Sequence, residues 1–255
     1  MKKNFFDLSG KIALITGGTR GIGRAMALAM AQAGANVVAT SRNKDHVEKV
    51  TREIMGLGRQ SIQITTDVTR ADDRKRMVQE IVKSFGRIDI FVSNAGSNTL
   101  FKRPEHTTEA EWDHIINLNL KASFFCCLEA GKEMIRQKSG RIIIMGSVFS
   151  RVTGPRVAPY TISKTALLGM TRALALDWHQ HNIRVNCLAP GYVDTDFTAD
   201  IVKNPALYKA SLDEIPLKRY AKPEEIAKVA VMLASDASDY MVGETIWVDD
   251  GYTIH

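Results

Sequence analysis

Three side chains in this sequence stand at spacings suited to moving a proton. Ser147 follows the apolar run 141–145, Tyr160 comes thirteen positions after it, and Lys164 four beyond that. On a helix, positions i and i+4 share a face, so Tyr160 and Lys164 would point the same way. An unperturbed tyrosine, with a pKa of about 10, is a poor acid–base group at neutral pH, and a neighbouring ammonium favours its phenolate. Ser147, at the carboxyl end of a strand, would face the ligand side of an open α/β sheet. Taken singly, these are a half-buried helix tyrosine, a solvated lysine and a strand-end cap. Their joint spacing suggests proton exchange with a carbonyl oxygen.

A second constellation lies near the N-terminus. The apolar Ile12-Ala13-Leu14-Ile15 runs into Thr16-Gly17-Gly18-Thr19-Arg20-Gly21-Ile22-Gly23, and a helical segment begins there. A strand, a glycine-rich turn and a helix N-terminus in that order present free backbone N–H groups and the positive end of a helix dipole to a pyrophosphate. Glycine suits the turn because a Cβ would hold the phosphate away or forbid positive φ. The spacing departs from G-x-G-x-x-G, and a tight βα turn with no ligand is the alternative reading. Its place in the first βα unit points to a dinucleotide. The second strand then ends in Ala39-Thr40-Ser41-Arg42-Asn43, with no acid to hold a ribose 2′-hydroxyl. Arg42, with Arg20 and beside Ser41, would clamp a 2′-phosphate, which favours NADP(H) over NAD. The positive charge of an oxidised nicotinamide would add to that of Lys164 in favouring the Tyr160 phenolate.

The elements that must position these groups alternate along the chain. Short Ile- and Val-rich runs predict parallel strands at 11–16, 36–40, 61–65, 88–93, 141–145, 184–188 and 245–248. Helical segments begin near Gly21, Lys44, Arg70, Glu109, Ala122, Tyr160 and Pro223, each long enough to cross back over the sheet. The expected architecture is therefore α/β: a doubly wound, Rossmann-type parallel sheet of seven strands with helices on both faces, in one domain spanning 1–255. Residues 194–220 break the alternation and are expected to form a lid over a site.

Composition narrows the function classes. The 255 residues are 45% hydrophobic and 24% charged, with a net charge of +6, which excludes a disordered or fibrous chain. Basic residues are interleaved with acids, as in Arg70-Ala71-Asp72-Asp73-Arg74-Lys75-Arg76, so no nucleic-acid partner is expected. Cys126, Cys127 and Cys187 have no ligand or disulfide spacing, which predicts no metal and a reducing, cytoplasmic setting. Lys2 and Lys3 precede only Phe5-Phe6 before Asp7, and no run of about 18 apolar residues occurs. Neither export nor a membrane span is expected.

Together these segments resemble the short-chain dehydrogenase/reductase family across essentially the whole chain. The matching pieces are 16–23, Asp67-Val68, Asn94-Ala95-Gly96, Asn119, Ser147, Tyr160-x-x-x-Lys164 and Pro190-Gly191-x-x-x-Thr195. The resemblance implies that Gly17, Thr19, Arg20, Gly21, Ile22 and Gly23 hold the pyrophosphate region and that Asp67 and Val68 flank the adenine. Asn94, Ala95 and Gly96 would line the cofactor cleft, and Pro190, Gly191, Val193 and Thr195 the carboxamide end. Ser147 would orient the substrate oxygen and Tyr160 act as general acid in reduction or base in oxidation. Lys164 would bind the nicotinamide ribose and lower the tyrosine pKa, and Asn119 would hold a relay water. A homotetramer is also implied, built on the helices around 121–136 and 160–178 and on the C-terminal strand, with Phe124, Phe125, Leu167, Leu168 and Met170 as apolar surface.

Two departures stand out. The family's usual Asn-Asn-Ala-Gly reads Ser93-Asn94-Ala95-Gly96, where serine is expected to bond the adjoining backbone. The usual Val-Asp-Gly-Gly reads Val248-Asp249-Asp250-Gly251, which strains Asp250 if that position needs positive φ. Substrate signals diverge. Segments 160–169 and 182–191 resemble NADPH carbonyl reductases, with Val148, Phe149, Val152 and Tyr192 as an apolar pocket for a small carbonyl or alcohol. The overall pattern resembles 3-oxoacyl-[acyl-carrier-protein] reductases, although Leu176 stands where those carry an arginine and leaves Lys132 as the one cationic contact. Segment 174–178 and the ending Asp250-Gly251-Tyr252-Thr253 are similar to sugar-acid and polyol dehydrogenases, for which Arg151 or Arg156 would read a carboxylate or phosphate. A catalytically silent NADP-binding sensor is the alternative of a different class.

Overall fold

Strands form where runs of β-branched residues can be buried on both faces, and in the computed structural model six do so. Residues 4–98 and 101–254 are described; Lys2 and Lys3 lie outside them. The strands are β1 (Ile12–Thr16), β2 (Asn36–Thr40), β3 (Ile90–Ser93), β4 (Gly140–Met145), β5 (Ile183–Pro190) and β6 (Thr245–Val248). All pair in parallel in the order β2-β1-β3-β4-β5-β6. In β1, Ala13 and Ile15 enter one core while Ile12 and Leu14 enter the other. That alternation is what a sheet covered on both faces requires.

The first core packs α1 (Gly21–Gln32), α2 (Lys44–Gly56) and, later in the chain, α9 (Pro223–Ala234) against the sheet. The second packs α3 (Ala71–Phe85), α5 (Ala122–Gln137) and α6 (Ala158–Trp178). Between α3 and α5 lies α4 (Glu109–Ile116), joined to α5 by a π turn at Asn117–Lys121. α5 and α6 approach closely at Gly131, where a Cβ would stand 2.6 Å from the Trp178 ring. Leu167 and Met170 of α6 are core residues, 1% and 9% exposed, so they do not belong to the apolar surface expected there; Phe124 and Phe125 do.

The predicted strand at 61–65 is not a sheet strand. Val37 N–H reaches the Gln60 carbonyl (3.1 Å), and Ser41 bridges Thr65, but between them the Thr40 hydroxyl donates to the Ile64 carbonyl (2.6 Å). A side chain thus takes the place of a backbone rung, and the segment runs along the edge of β2 without a continuous ladder. The region 194–220 carries two short helices, α7 (Ala199–Val202) and α8 (Pro205–Asp213).

The two departures have distinct outcomes. Ser93 bonds the Ser123 hydroxyl on α5 (2.6 Å), not the adjoining backbone as expected. Asp250 does have a left-handed backbone, φ 53°, and its Oδ2 accepts the Leu217 N–H at 2.6 Å. That bond ties the C-terminal turn to the end of the segment 194–220 and offsets a conformation costing about 1–2 kcal/mol. Among the described residues, no helix is long and apolar enough to cross a membrane, and no group of three or more His, Cys, Asp or Glu is placed to hold a metal ion.

Candidate active site

A cavity of about 860 Å3 opens at the carboxyl edge of the sheet, beside the switch point where the chain leaves β2 and returns as β3 on the other side of β1. Ligands of open α/β sheets bind in such a crevice. Every residue predicted to hold the cofactor lines it, as do Ser147, Tyr160, Lys164 and, from the predicted substrate pocket, Val148, Phe149 and Tyr192.

The glycine turn is shaped by close approach. Gly17 has φ 62° and faces Ala95 and Asn94 at 3.0 Å from where a Cβ would be; at Gly23 a Cβ would fall 2.1 Å from the Gly17 carbonyl oxygen. α1 starts with no side-chain cap at Arg20 and no acid in its first turn, leaving its N-terminal N–H groups to the cavity. Asn94 fixes the opposite wall: its Nδ2 donates to the carbonyls of Thr16 and Gly17 (both 3.0 Å), and Thr16 Oγ1 accepts its backbone N–H (3.1 Å). Arg20 and Arg42 are exposed on the cavity rim, and among the described residues neither makes an ion pair. Burial raises the Asp67 carboxyl, but hydrogen bonds from Thr69 and the charges of Arg42 and Arg70 outweigh it and hold the group below its usual range.

The predicted reacting groups stand where β4 ends and α6 begins. Ser147, 7% exposed, caps the short 3-10 turn Val148–Ser150 and accepts the Phe149 N–H at 3.2 Å. Tyr160 is 8% exposed and hydrogen-bonded to Ser147; burial pushes its phenol up to about 12, with the Ser147 bond pulling the other way. The expected lowering by Lys164 is therefore not what the protein's own groups produce. Lys164 Nζ lies 5.8 Å from the Tyr160 ring centroid and donates to the Met145 carbonyl at 2.7 Å. Burial brings its ammonium down to about 8. At neutral pH the Tyr160 phenol therefore carries its proton.

Two predicted residues do not line the cavity. Asn119, 1% exposed, is turned inward by the π turn, a distortion common at functional sites. Its Oδ1 accepts the Ser97 N–H (2.9 Å), and its Nδ2 donates to the Ser97 carbonyl (2.9 Å) and the Ser163 hydroxyl (3.1 Å). Both amide hydrogens are thus committed, and the side chain braces the loop after Gly96. Val152 bonds back to the Val148 carbonyl (3.0 Å), and the wall is continued by Thr153 to Val157 instead. Arg156 is on that wall with φ 67°, whereas Arg151 stacks over Trp247. Sequence reasoning missed Ser97, Asn98, Phe197, Leu207, Glu214 and Tyr252, all of which line the cavity. The weak periodicity of 194–220 signalled the region of three of these without singling out a residue.

A family model described as enoyl-(acyl carrier protein) reductase matches residues 17–253. The chain is 40% identical to 2-dehydro-3-deoxy-D-gluconate 5-dehydrogenase of Dickeya dadantii over 254 residues, 98% of both chains. It is 38% identical to a 3-oxoacyl-[acyl-carrier-protein] reductase of Thermotoga maritima, covering 97% of this chain and 99% of that one. The chain belongs to the short-chain dehydrogenase/reductase family. It is therefore an oxidoreductase. Its fold superimposes on a gluconate 5-dehydrogenase of Burkholderia cenocepacia, solved with NADP and tartrate, with a TM-score of 0.95, 32% identity and 98% coverage of each chain.

Enzymes of this family use NAD(P), and the cradle described above fits such a group: close-packed glycines, an uncapped helix N-terminus and two rim arginines that make no ion pair among the described residues. Lys164 supplies a test of the site's electrostatics. A lysine whose folded pKa is lowered destabilises the fold while it is charged, below about pH 8, and that loss fades as pH rises toward the unfolded value near 10.5. Lys164→Met should thus raise the melting temperature of the cofactor-free protein at pH 7, the removed burden being on the order of 3 kcal/mol against about 1 kcal/mol for the orphaned Met145 carbonyl. The gap between variant and wild type should narrow between pH 8 and 10.5 in thermal unfolding scans; a gap that widens would contradict the assignment.

Proposed function

We propose that this short-chain dehydrogenase/reductase is an NADP(H)-dependent oxidoreductase that interconverts a carbonyl and a secondary alcohol. The observation that carries the reading is the buried Ser147–Tyr160 pair with Lys164 at the middle of a cavity whose far rim holds Arg20 and Arg42 and lacks an acid at the end of β2. When bound, the nicotinamide dinucleotide supplies or accepts the hydride. Ser147 donates a hydrogen bond to the substrate oxygen and fixes its position. Tyr160 gives that oxygen its proton in reduction and removes it in oxidation. Lys164 orders the nicotinamide ribose and adds positive charge behind the phenol, and Asn119 keeps the Gly96–Ser97 backbone against both. Thr195 packs on Gly21, where a Cβ would stand 3.4 Å from it, and so closes the carboxamide end against the glycine turn.

We read the substrate as a small free carbonyl compound. Phe149 packs edge-on against Tyr160 and Tyr192 with ring centroids 6.1 and 6.4 Å apart, giving the pocket an apolar collar. A protein-borne acyl chain is less well supported: Leu176 is 72% exposed on α6, and Lys132 is paired with Glu129. The names of the relatives and Arg156 on the wall support a polyol or sugar acid as a second reading. The chain works as one catalytic domain with 194–220 as its lid, in a reducing, cytoplasmic setting that suits three buried free thiols. It assembles as a homotetramer through the exposed Phe124 and Phe125 of α5 and Leu176 of α6.

For the cofactor, NADPH should be used with a higher kcat/KM than NADH. Ser41→Asp with Arg42→Ala should invert the preference, since each charge-assisted phosphate contact is worth about 1.5–3 kcal/mol; a wild type that prefers NADH would overturn it. For the chemistry, Tyr160→Phe should lower kcat by roughly 100- to 10,000-fold while NADPH fluorescence titration gives near-wild-type affinity. A silent sensor would instead bind NADPH but fail to oxidise it with any carbonyl compound. For assembly, light scattering at micromolar concentration should give the mass of four chains, and Phe125→Glu with Leu176→Glu should lower it.

A further inference from the structure

The substrate end of the cavity changes character with distance from the reacting groups. Next to Tyr160 stand Phe149 and Phe197, each with its ring centroid 6.1 Å from the tyrosine's. Beyond this aromatic collar the wall mixes apolar side chains, Ile201, Leu207 and Ala210, with the hydroxyl- and carboxylate-bearing Tyr192, Glu214 and Tyr252. The Tyr252 ring meets Tyr192 edge-on at 5.5 Å. Its hydroxyl lies against the Glu214 carboxylate and the Tyr192 hydroxyl, and burial, with these neighbours adding, pushes it well above the usual phenol range.

This wall is held from both sides. Asp249 Oδ2 accepts the Thr253 N–H (3.1 Å) and hydroxyl (2.7 Å), which sets the turn that presents Tyr252. Asp250 grips the Leu217 N–H (2.6 Å), three residues beyond Glu214. The cations of this stretch are engaged elsewhere: Arg219 makes a two-pronged pair with Glu225 (2.7 and 2.8 Å), and Lys218 caps the Asp213 carbonyl (2.8 Å). Charged residues on the substrate wall are therefore Glu214 and Asp196 against Arg156.

We propose that Glu214 and Tyr252 read the end of the substrate remote from the reacting carbon, and that they select neutral, hydroxyl-bearing carbonyl compounds over carboxylates of the same length. This rests on the reading of the site as a carbonyl–alcohol oxidoreductase. An ionised carboxylate only accepts hydrogen bonds. With Tyr252 as one donor, Glu214 has lone pairs left for the O–H groups of a substrate. A substrate carboxylate held beside Glu214 would bring a second acceptor-only anion against it, a like-charge juxtaposition that disfavours it. The relatives named for sugar acids would on this account share the catalytic groups while this chain's distal wall selects the uncharged counterpart.

The experiment compares matched pairs on the full-length enzyme. Sorbitol and gluconate are offered with NADP+, and methyl acetoacetate and acetoacetate with NADPH, to wild type, Glu214→Gln, Glu214→Arg and Tyr252→Phe. NADPH fluorescence titration on each variant confirms a folded site. The neutral member should be favoured at least tenfold in kcat/KM by wild type, mainly through KM. Glu214→Gln should cut that ratio severalfold, Glu214→Arg should bring it below one, and Tyr252→Phe should raise KM for the neutral member. Turnover with wild type favouring the acid, or with a ratio that neither Glu214 variant moves, overturns this inference alone. NADPH binding without turnover of any member overturns the oxidoreductase reading and the inference with it.

Discussion

The carboxyl ends of β1 and β3 are pinned to each other by Thr16 and Asn94, and the placement of everything in the site follows from that junction. One Asn94 amide spans the last residue of β1 and the first glycine of the turn, while Thr16 returns a bond to the Asn94 backbone. The glycine turn and the loop 94–97 are thereby fixed as facing walls. Two strands that neighbour each other in space share one hydrogen-bonded corner between residues 78 apart in sequence. Asn119 extends the corner by holding Ser97, and through Ser163, whose hydroxyl donates to the Tyr160 carbonyl (2.7 Å), it reaches the helix that carries Tyr160. Such connected networks in a dry interior position groups more sharply than isolated bonds.

Within that frame two titratable groups are pulled by the same cause in opposite senses. Burial favours the neutral form of each, so the phenol of Tyr160 rises and the ammonium of Lys164 falls. The separation of the two groups limits how far one can correct the other. Lys164 is oriented by the Met145 carbonyl, at the end of the strand that also delivers Ser147, so the cation and the serine are set by one stretch of backbone. With the protein's own groups alone the Tyr160 phenol keeps its proton, and positive charge arriving in the cleft would favour the phenolate.

Most of the scaffold was legible because its signals are local. Runs of Ile and Val buried on both faces, and helices whose first residues fall at Gly21, Lys44, Glu109, Ala122 and Pro223, need only periodicity and capping to be seen. The motif residues were legible for the same reason, since each sits at a strand end or on one helix turn. What escaped was settled by neighbours distant in sequence. The run 61–65 has a strand's composition, yet the Thr40 hydroxyl intercepts the bond that would have extended the ladder. Val152 is apolar and close to Ser147, but the chain doubles back before it reaches the cavity. Tyr252 and Glu214 come from the C-terminal turn and the segment 194–220, which Asp250 ties together through the Leu217 N–H.

The π turn between α4 and α5 has a consequence for how this chain can change over time. α4, the turn and α5 run on without a break from Glu109 to Gln137, but the wide turn takes up more residues than an α-helical one. Each residue of a regular helix turns the next by about 100°, so losing a single residue within 117–121 would let the path close into an uninterrupted α-helix and swing one half around the other. Either Asn119 would leave Ser97, or the apolar stripe of α5 would leave the sheet. Substitutions on the outer face of α4 are cheap by comparison, because they keep the count. Length in this stretch is therefore held more tightly than composition, and drift here should proceed by exchange of side chains at constant spacing.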